Sequence, residues 1–144
     1  MEISKLICKD LVDKNPKNTT RWTPLHKAAK SGHLDICMII MDNLVDKNPR
    51  SITGWTPLHE AATEGHLEIC QVIINQLILD KITNLNPGTD KGWTPLHAAA
   101  KAGHFEICKL ILENVDDANP YTTIGHSPMM VTSNPLIRKL LSTF

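Results

Sequence analysis

Histidine and cysteine are the residue types in this sequence with the greatest capacity for chemistry. Seven histidines and four cysteines occur in 144 residues. Imidazole and thiolate groups can bind zinc, and histidine can also act as a general acid or base. No two of the cysteines lie close together in the sequence, which argues against a structural zinc site. The cysteines are Cys8, Cys37, Cys70 and Cys108.

The spacing of the cysteines indicates a structural role instead. Cys37 and Cys70 are 33 residues apart, and Cys70 and Cys108 are 38 residues apart. Each of these three follows an isoleucine in an apolar run, where a free cysteine behaves as a small hydrophobe. We therefore predict reduced thiols. This favours a cytoplasmic or nuclear location, because disulfides are typical of secreted proteins.

Three short motifs recur in phase along the chain, and each marks one copy of an internal repeat. Thr-Pro-Leu-His occupies residues 23–26, 56–59 and 94–97, with a degenerate copy, Ser-Pro-Met-Met, at 127–130. Gly-His occupies residues 32–33, 65–66 and 103–104, and Asn-Pro occupies 15–16, 48–49, 86–87 and 119–120. A fixed period of between about 20 and 50 residues predicts a stacked array.

One unit of the array can be predicted from local signals. Thr23 is a good N-cap residue and Pro24 suits the first helical position, so a helix is expected from Pro24 to Ser31. Gly32 can end that helix, because glycine tolerates positive φ. A second apolar helix is expected to begin at about Leu34. Two such short helices bury their apolar faces only when copies stack on each other.

The sixteen residues 54–69, Gly-Trp-Thr-Pro-Leu-His-Glu-Ala-Ala-Thr-Glu-Gly-His-Leu-Glu-Ile, resemble the ankyrin-repeat family and recur twice with side-chain changes. The resemblance implies an all-α solenoid of stacked helix-turn-helix units with β-hairpin fingers. It makes residues 1–144 a single domain with five parts. These are a half repeat (1–16), a repeat (17–49), a repeat with an insertion near residues 77–85 (50–87), a repeat (88–120) and a C-terminal capping repeat (121–144).

Three departures from the family pattern carry expectations of their own. The insertion near residues 77–85 predicts either a longer helix or a bulged loop, since its five residues exceed one helical turn. The second helices lack their usual terminal glycine and are expected to run on towards Asn48, Asn86 and Asn119. Arg21 replaces the turn glycine of the first finger, so that finger is expected to be distorted.

The resemblance also implies that the recurring histidines are structural, tying adjacent repeats together. They are His26, His59 and His97 in one position and His33, His66 and His104 in the other. One ring per layer, about 10 Å from the next, is too widely spaced for a shared zinc ion with ligand bonds of about 2 Å. The chain has no glycine-rich phosphate loop and no Gly-x-Ser-x-Gly motif. We predict no catalytic, metal or cofactor site and no enzymatic activity.

The family's recognition surface comprises the finger tips and the exposed ends of the first helices. Here the corresponding candidate partner-binding residues are Trp22, Lys30, Arg50, Ile52, Thr53, Trp55, Glu64, Asp90, Lys91, Trp93, Lys101, Tyr121 and Ile124. The tryptophans can serve both as packing residues and as contact residues. The formal net charge is zero and no apolar run approaches about 18 residues, so we expect no nucleic acid partner and no membrane insertion. A protein or peptide partner fits this mixed surface better.

Other functions remain open from the sequence. The chain could be a structural or spacer fragment of a larger array, or an engineered ankyrin binder or scaffold. A monomer is expected, with possible self-association through Ile3, Leu6 and Ile7 of the half repeat. Asn48, Asn86 and Asn119 resemble the family's hydroxylated asparagine, so the array could also be the substrate of an asparagine-modifying enzyme.

Overall fold

The computed structural model describes residues 17–144. The half repeat at 1–16, with Cys8 and the self-association residues Ile3, Leu6 and Ile7, lies outside the described residues. The described part contains helices and no strand. Its helices are α1 (Pro24–Ser31), α2 (Leu34–Met41), α3 (Pro57–Glu64), α4 (Leu67–Leu79), α5 (Pro95–Ala102), α6 (Phe105–Leu112), α7 (Pro128–Val131) and α8 (Pro135–Leu141).

The helices form two stacked layers. The first helices of successive repeats, α1, α3, α5 and α7, pack on one another, and so do the second helices, α2, α4, α6 and α8. Each first helix also packs on the second helix of its own repeat. The core between the layers is made of leucine, isoleucine, alanine and the three described cysteines. The helix bounds predicted for residues 24–31 are confirmed.

The starts of α3 and α5 are each capped twice. In α3 the Thr56 hydroxyl accepts a hydrogen bond from the His59 backbone N–H at 3.3 Å. The Asn48 Oδ1 atom accepts from the Leu58 N–H at 3.1 Å. Pro57 occupies the first helical position and has no N–H to satisfy. The free backbone N–H groups of the first turn are therefore satisfied by hydrogen bonds within the protein, as helix starts require.

The second helices end earlier than expected. They stop at Met41, Leu79 and Leu112, so the prediction that they run on to Asn48, Asn86 and Asn119 is wrong. The physical reason is that two of these asparagines cap the first helix of the next repeat. Asn48 caps α3, and Asn86 caps α5 by accepting from the Leu96 N–H at 3.0 Å. The Asn119 amide instead donates to the Tyr121 hydroxyl at 3.2 Å.

The insertion lengthens one helix, which is one of the two predicted outcomes. Helix α4 has 13 residues, whereas α2 and α6 have 8 each. It ends in a Schellman motif in which the Lys81 N–H donates to the Ile78 carbonyl and the Ile82 N–H to the Leu77 carbonyl. Lys81 holds a left-handed φ of 59° at the position where glycine is usual. The lengthening leaves Ile78, Leu79 and Ile82 exposed.

The fingers are tight turns joined to each other by single backbone hydrogen bonds. In the second finger the Ser51 N–H donates to the Trp55 carbonyl at 2.7 Å, and the Ile52 N–H reaches the Thr20 carbonyl of the first finger at 2.8 Å. Arg21 has a φ of 60°, close to the 86° of Gly54 in the second finger. The prediction that the first finger is distorted is therefore wrong. Its turn bonds hold the arginine in the conformation that glycine has elsewhere.

The described cysteines are free and buried, as predicted. Each lies in the middle of a second helix, with no exposed surface. Burial raises the pKa of the Cys37, Cys70 and Cys108 thiols to about 12. Because the thiolate is the reactive form, these groups are inert at neutral pH and serve as core residues.

A row of buried histidines links the first helices. The Nε2 atom of His59 lies 2.9 Å from the Trp93 carbonyl oxygen of the next repeat. Its Nδ1 atom lies 3.1 Å from the backbone nitrogen of Thr56. A carbonyl only accepts and a backbone N–H only donates, so the ring must be the neutral tautomer with its proton on Nε2. His26 and His97 repeat the arrangement, with Nε2 at 3.0 and 2.9 Å from the Trp55 and His126 carbonyls.

A second row of histidines links the turns between the paired helices. The Nε2 atom of His66 donates to the Lys30 carbonyl, and that of His104 to the Thr63 carbonyl, each at 3.0 Å. Both bonds satisfy carbonyls at the end of the preceding first helix. The prediction of structural histidines is confirmed for these two and for the buried row. The repeat that would precede His33 lies outside the described residues.

The second row generates a prediction about three glycines. A methyl group on Gly65 would lie 2.6 Å from the His104 ring, whereas nothing lies within 4 Å of one on Gly103, and all three turn glycines have φ between 80° and 84°. We expect Gly103→Ala to cost about 1 kcal/mol of unfolding free energy from backbone strain alone. Gly32→Ala and Gly65→Ala should cost about 1–3 kcal/mol more, because a histidine ring must shift. Urea denaturation measures the three values, and equal losses would contradict the contact. The control is Gly65→Ala in a His104→Ala background, where the extra loss should vanish.

The buried row generates a prediction about pH. Burial lowers the pKa of His59 to about 3, against partial compensation by its bond to Trp93, and burial also lowers the pKa values of His26 and His97. Between pH 6.5 and 3 the unfolded chain holds more protons at these rings than the folded chain, so stability falls as the pH falls. His59 alone should contribute a slope of about 1.4 kcal/mol per pH unit in this window.

Urea denaturation across that pH range checks the slope. His59→Asn should be less stable at pH 7 and should lose stability less steeply on acidification. His126→Gln is the control, because His126 is exposed. Parallel curves for the native chain and the His59→Asn variant would show that the ring is not held neutral.

Candidate functional site

A groove of about 790 Å³ lies between the second and third repeats, and its walls contain two tryptophans. We call it the Trp55–Trp93 groove. It is open along one side and is lined mainly by apolar surface. The lining residues are Thr53, Trp55, Thr63, Thr89, Asp90, Lys91, Trp93, Ala98, Lys101 and Ala102.

The groove is assembled from fingers and first helices. The second and third fingers supply one wall, which includes Thr53, Asp90 and Lys91, and α5 supplies the opposite wall. The two fingers are held together by a hydrogen bond from the Asp90 N–H to the Thr53 carbonyl at 3.0 Å. The Thr123 N–H donates in turn to the Lys91 carbonyl at 2.9 Å. The finger wall is thus fixed by backbone contacts on both sides.

The two tryptophans are fixed by the histidine row. The Trp55 ring packs on His59 with centroids 4.6 Å apart, and the Trp93 ring packs on His97 at 5.1 Å. The carbonyl of each tryptophan also accepts from the histidine of the preceding repeat. Both indoles are half-buried, with one part in contact with the core and another open to the groove. Their placement is therefore compatible with both roles that the sequence analysis considered, packing and contact with a partner.

The groove is open at this point because two alanines line it. Ala98 and Ala102 of α5 stand at the repeat positions of Glu60 and Glu64 in α3. Glu60 is only 7% exposed and lies beside Trp55. Where α3 has a long acidic side chain against its tryptophan, α5 has a methyl group. The missing side-chain volume is what leaves space between the two indoles.

The Glu60 carboxyl is a buried charge on the groove side of α3. Burial raises its pKa, the Lys30 ammonium opposes this shift, the Glu64 carboxylate adds to it, and a hydrogen bond from the Trp55 side chain opposes it. Glu60 is thus a buried carboxyl whose ionisation both Lys30 and Trp55 influence.

Lysine side chains cover two of the three tryptophans. The Lys101 Nζ atom lies 5.6 Å from the centre of the Trp93 ring, and that of Lys30 lies 5.5 Å from Trp22. Thr63 occupies the corresponding position in the second repeat, so Trp55 has no such cation. A cation over an indole is worth about 0.5–1 kcal/mol at an exposed site.

The structure brings together six of the thirteen candidate binding residues. Thr53, Trp55, Asp90, Lys91, Trp93 and Lys101 line the groove. Trp22 and Lys30 pair with each other in the first repeat. The Arg50 guanidinium donates to the Gly88 carbonyl at 2.8 Å and does not line the groove. Ile52, Glu64, Tyr121 and Ile124 are exposed outside the lining.

Sequence reasoning missed Glu60 and Ala98, the residues that decide where the groove is filled and where it is open. Glu60 and Ala98 occupy equivalent positions of their repeats, and Lys27 occupies that position in the first repeat. A basic, an acidic and a small residue at the same helical position was the available signal. It distinguishes this position from the constant alanines beside it.

A second cleft, of about 570 Å³, lies between the loop after α4 and the loop after α6. Several of its polar side chains already bond within the protein. Asn86 caps α5, the Asn84 side chain accepts from the Asn86 N–H at 3.2 Å, and Asp117 accepts from the Asn119 N–H at 3.0 Å. This cleft is therefore a weaker candidate for ligand binding.

Within residues 17–144, no group of three or more histidine, cysteine, aspartate or glutamate side chains is arranged to hold a metal ion. None of the helices in this part of the chain is long and apolar enough to cross a membrane.

The Glu60 environment generates a spectroscopic prediction. We expect the indole N–H signal of Trp55 in ¹H–¹⁵N spectra to move with pH, with a midpoint above the 4.5 of an ordinary glutamate, because Glu60 has a raised pKa. The signals of Trp22 and Trp93 are internal controls, since Lys27 and Ala98 replace the glutamate beside them. Glu60→Gln should abolish the movement. A Trp55 signal that titrates unchanged in that variant would refute the contact.

Comparison with known families agrees with the architecture. The family model for ankyrin repeats, in 3 copies, matches residues 2–83 and 73–142. Comparison with curated proteins gives no match. The matched segments cover nearly the whole chain, and the described residues form the helical repeat solenoid that the motifs predicted. This chain belongs to the ankyrin-repeat family.

Proposed function

We propose that this chain is a non-enzymatic binding module that holds a protein or peptide segment in the Trp55–Trp93 groove. Ankyrin repeats are generally protein–protein interaction modules. The observation that carries the proposal for this chain is the open groove between two half-buried indoles. Tryptophan is enriched among the residues that dominate binding energy at interfaces, and such residues cluster in well-packed pockets.

The rigidity of the groove supports the proposal. Its finger wall is tied by backbone hydrogen bonds, and its tryptophans are stacked on buried histidines. A preformed site loses little conformational entropy on binding, so more of the contact energy is expressed as affinity. The two indoles can thus act as anchors without a folding step.

The chemistry of the remaining polar groups supports a non-enzymatic role. The five histidines of the two rows donate hydrogen bonds to backbone carbonyls, and the described thiols are protonated at neutral pH. The unpaired thiols of the described cysteines suit a reducing compartment, so we propose the cytoplasm or nucleus as the location of the protein. We also propose a monomer as the binding form.

Replacement of Ala98 tests the proposed site. Ala98→Gln should fill the groove at the position where α3 carries Glu60, and should remove binding while leaving the fold intact. Lys27→Gln is the matched control, because it places the same side chain at the same repeat position outside the groove. The measurement is affinity capture from cell extract with quantitative mass spectrometry, using all three proteins and confirming each fold by circular dichroism.

A protein retained by the native chain and by Lys27→Gln, but lost with Ala98→Gln, is the expected result. A loss of about tenfold or more in affinity is expected for removal of a central anchor contact. Equal capture by all three proteins, or capture by none, would contradict the proposal. In that case a spacer role within a longer array would be the better account.

A further inference from the structure

The third repeat places Lys101 and the Trp93 indole at the groove with no carboxylate on α5 beside them. In the second repeat the Glu60 side chain on α3 is 7% exposed, and burial raises the pKa of its carboxyl while the Lys30 ammonium and the Trp55 side chain act to lower it. In the third repeat Ala98 stands in place of the glutamate. No carboxyl from α5 therefore reaches the Trp93 indole within the described part of the chain, and Lys101 lies over the same ring.

The two repeats thus differ at the position of Glu60 and Ala98, where only the second repeat has a carboxylate. The second repeat has the indole and the carboxylate, and a lysine contributed by the preceding repeat. The third has the indole and its own lysine, with Lys91 on the facing finger wall. Among residues 17–144 Lys101 makes a cation–π contact and no ion pair with an acidic side chain. An indole N–H and an ammonium group around an open space form a site for an anion that is attached to an apolar group.

We propose that the natural occupant of the Trp55–Trp93 groove is a peptide segment with a large apolar side chain next to an aspartate or glutamate. The apolar side chain lies between the two indoles and over Ala98 and Ala102. The carboxylate takes, at Trp93, the place that Glu60 has at Trp55, and pairs with Lys101. This inference rests on the proposed function and adds the chemical class of the partner.

The size and lining of the groove suit the apolar part of this segment. Two indoles and two alanine side chains belong to its lining, and about 790 Å³ accommodates a leucine or phenylalanine side chain with its flanking backbone. Partial removal of such a side chain from water favours its binding in the groove.

Charge complementarity selects the acidic neighbour. Lys91 and Lys101 are exposed on opposite walls of the groove, and Asp90 lies at the finger tip beside Lys91. Two lysines and an indole N–H favour one carboxylate at the α5 side. Asp90 opposes a second carboxylate near the finger tip. The segment therefore needs one acidic position beside its apolar anchor and not a run of acidic residues.

A random dodecapeptide display library tests the inference. It is selected against the native chain, with the Ala98→Gln variant as the counter-target, so that only groove-dependent sequences survive. The affinities of the enriched peptides are then measured by fluorescence polarisation against Lys101→Gln and Lys27→Gln. Lys27 is the control, because it is an exposed lysine of α1 outside the groove lining.

We expect the enriched peptides to share an aspartate or glutamate adjacent to a leucine, isoleucine, phenylalanine or tryptophan. Lys101→Gln should weaken them by about tenfold or more, as loss of a charge-assisted hydrogen bond does, and Lys27→Gln should not. Replacing the acidic position of a peptide by its amide should weaken it by a similar factor for the native chain only.

Two outcomes would overturn the inference in different ways. Groove-dependent peptides that are neutral or basic, or that ignore Lys101→Gln, would refute the acidic partner and leave the proposed function standing. If no peptide distinguishes the native chain from Ala98→Gln, the inference of a linear segment is wrong. The capture experiment with the same variant then decides whether the proposed function fails with it.

Discussion

A neutral imidazole donating to the backbone carbonyl of the next repeat is the constraint on which this structure depends. The bond requires Nδ1 to be an acceptor, and the threonine three residues earlier supplies the donor while its hydroxyl also caps the helix. Thr-Pro-Leu-His is therefore one cooperative unit, with the proline fixing the first turn and the leucine buried beneath it. A buried ring with either nitrogen unsatisfied would cost about 1–3 kcal/mol of stability. The residues of the motif therefore depend on one another.

The recognition surface follows from the same bonds. The carbonyl that accepts the hydrogen bond from the histidine belongs to Trp55 in one layer and to Trp93 in the next. The residue that fixes the distance between layers thus also presents its indole to the groove. The scaffold needs no separate device to orient its aromatic walls. What varies is the small set of side chains between them, such as Glu60 and Ala98, and this variation decides which inter-repeat space is filled from within.

Much of this fold could be predicted from the sequence because its determinants are local and repeated. The period, the threonine caps and the place of the insertion follow from residue types at short spacings, whereas the sequence left open whether the insertion forms a longer helix or a bulged loop. The asparagine caps could not be predicted in this way, since Asn48 reaches Leu58, ten residues away, only after the loop has folded back. The predicted distortion of the first finger at Arg21 was wrong because the turn hydrogen bonds of that finger, together with the Asn18 side chain, outweigh the cost of a positive φ. The burial of Glu60 depends on neighbours from another repeat, which no local pattern reveals.

In the lengthened helix α4, the length of the chain changes while the spacing between adjacent repeats does not. The chain between His59 and Trp93 contains the whole insertion, yet their hydrogen bond, at 2.9 Å, matches the 3.0 Å between His26 and Trp55, where the chain is five residues shorter. None of the residues of α4 lines the groove. Additional sequence at this point is therefore absorbed at the far edge of the solenoid without altering the spacing of its recognition surface. The end of α4 is accordingly a natural acceptor position for a grafted segment or a fused domain.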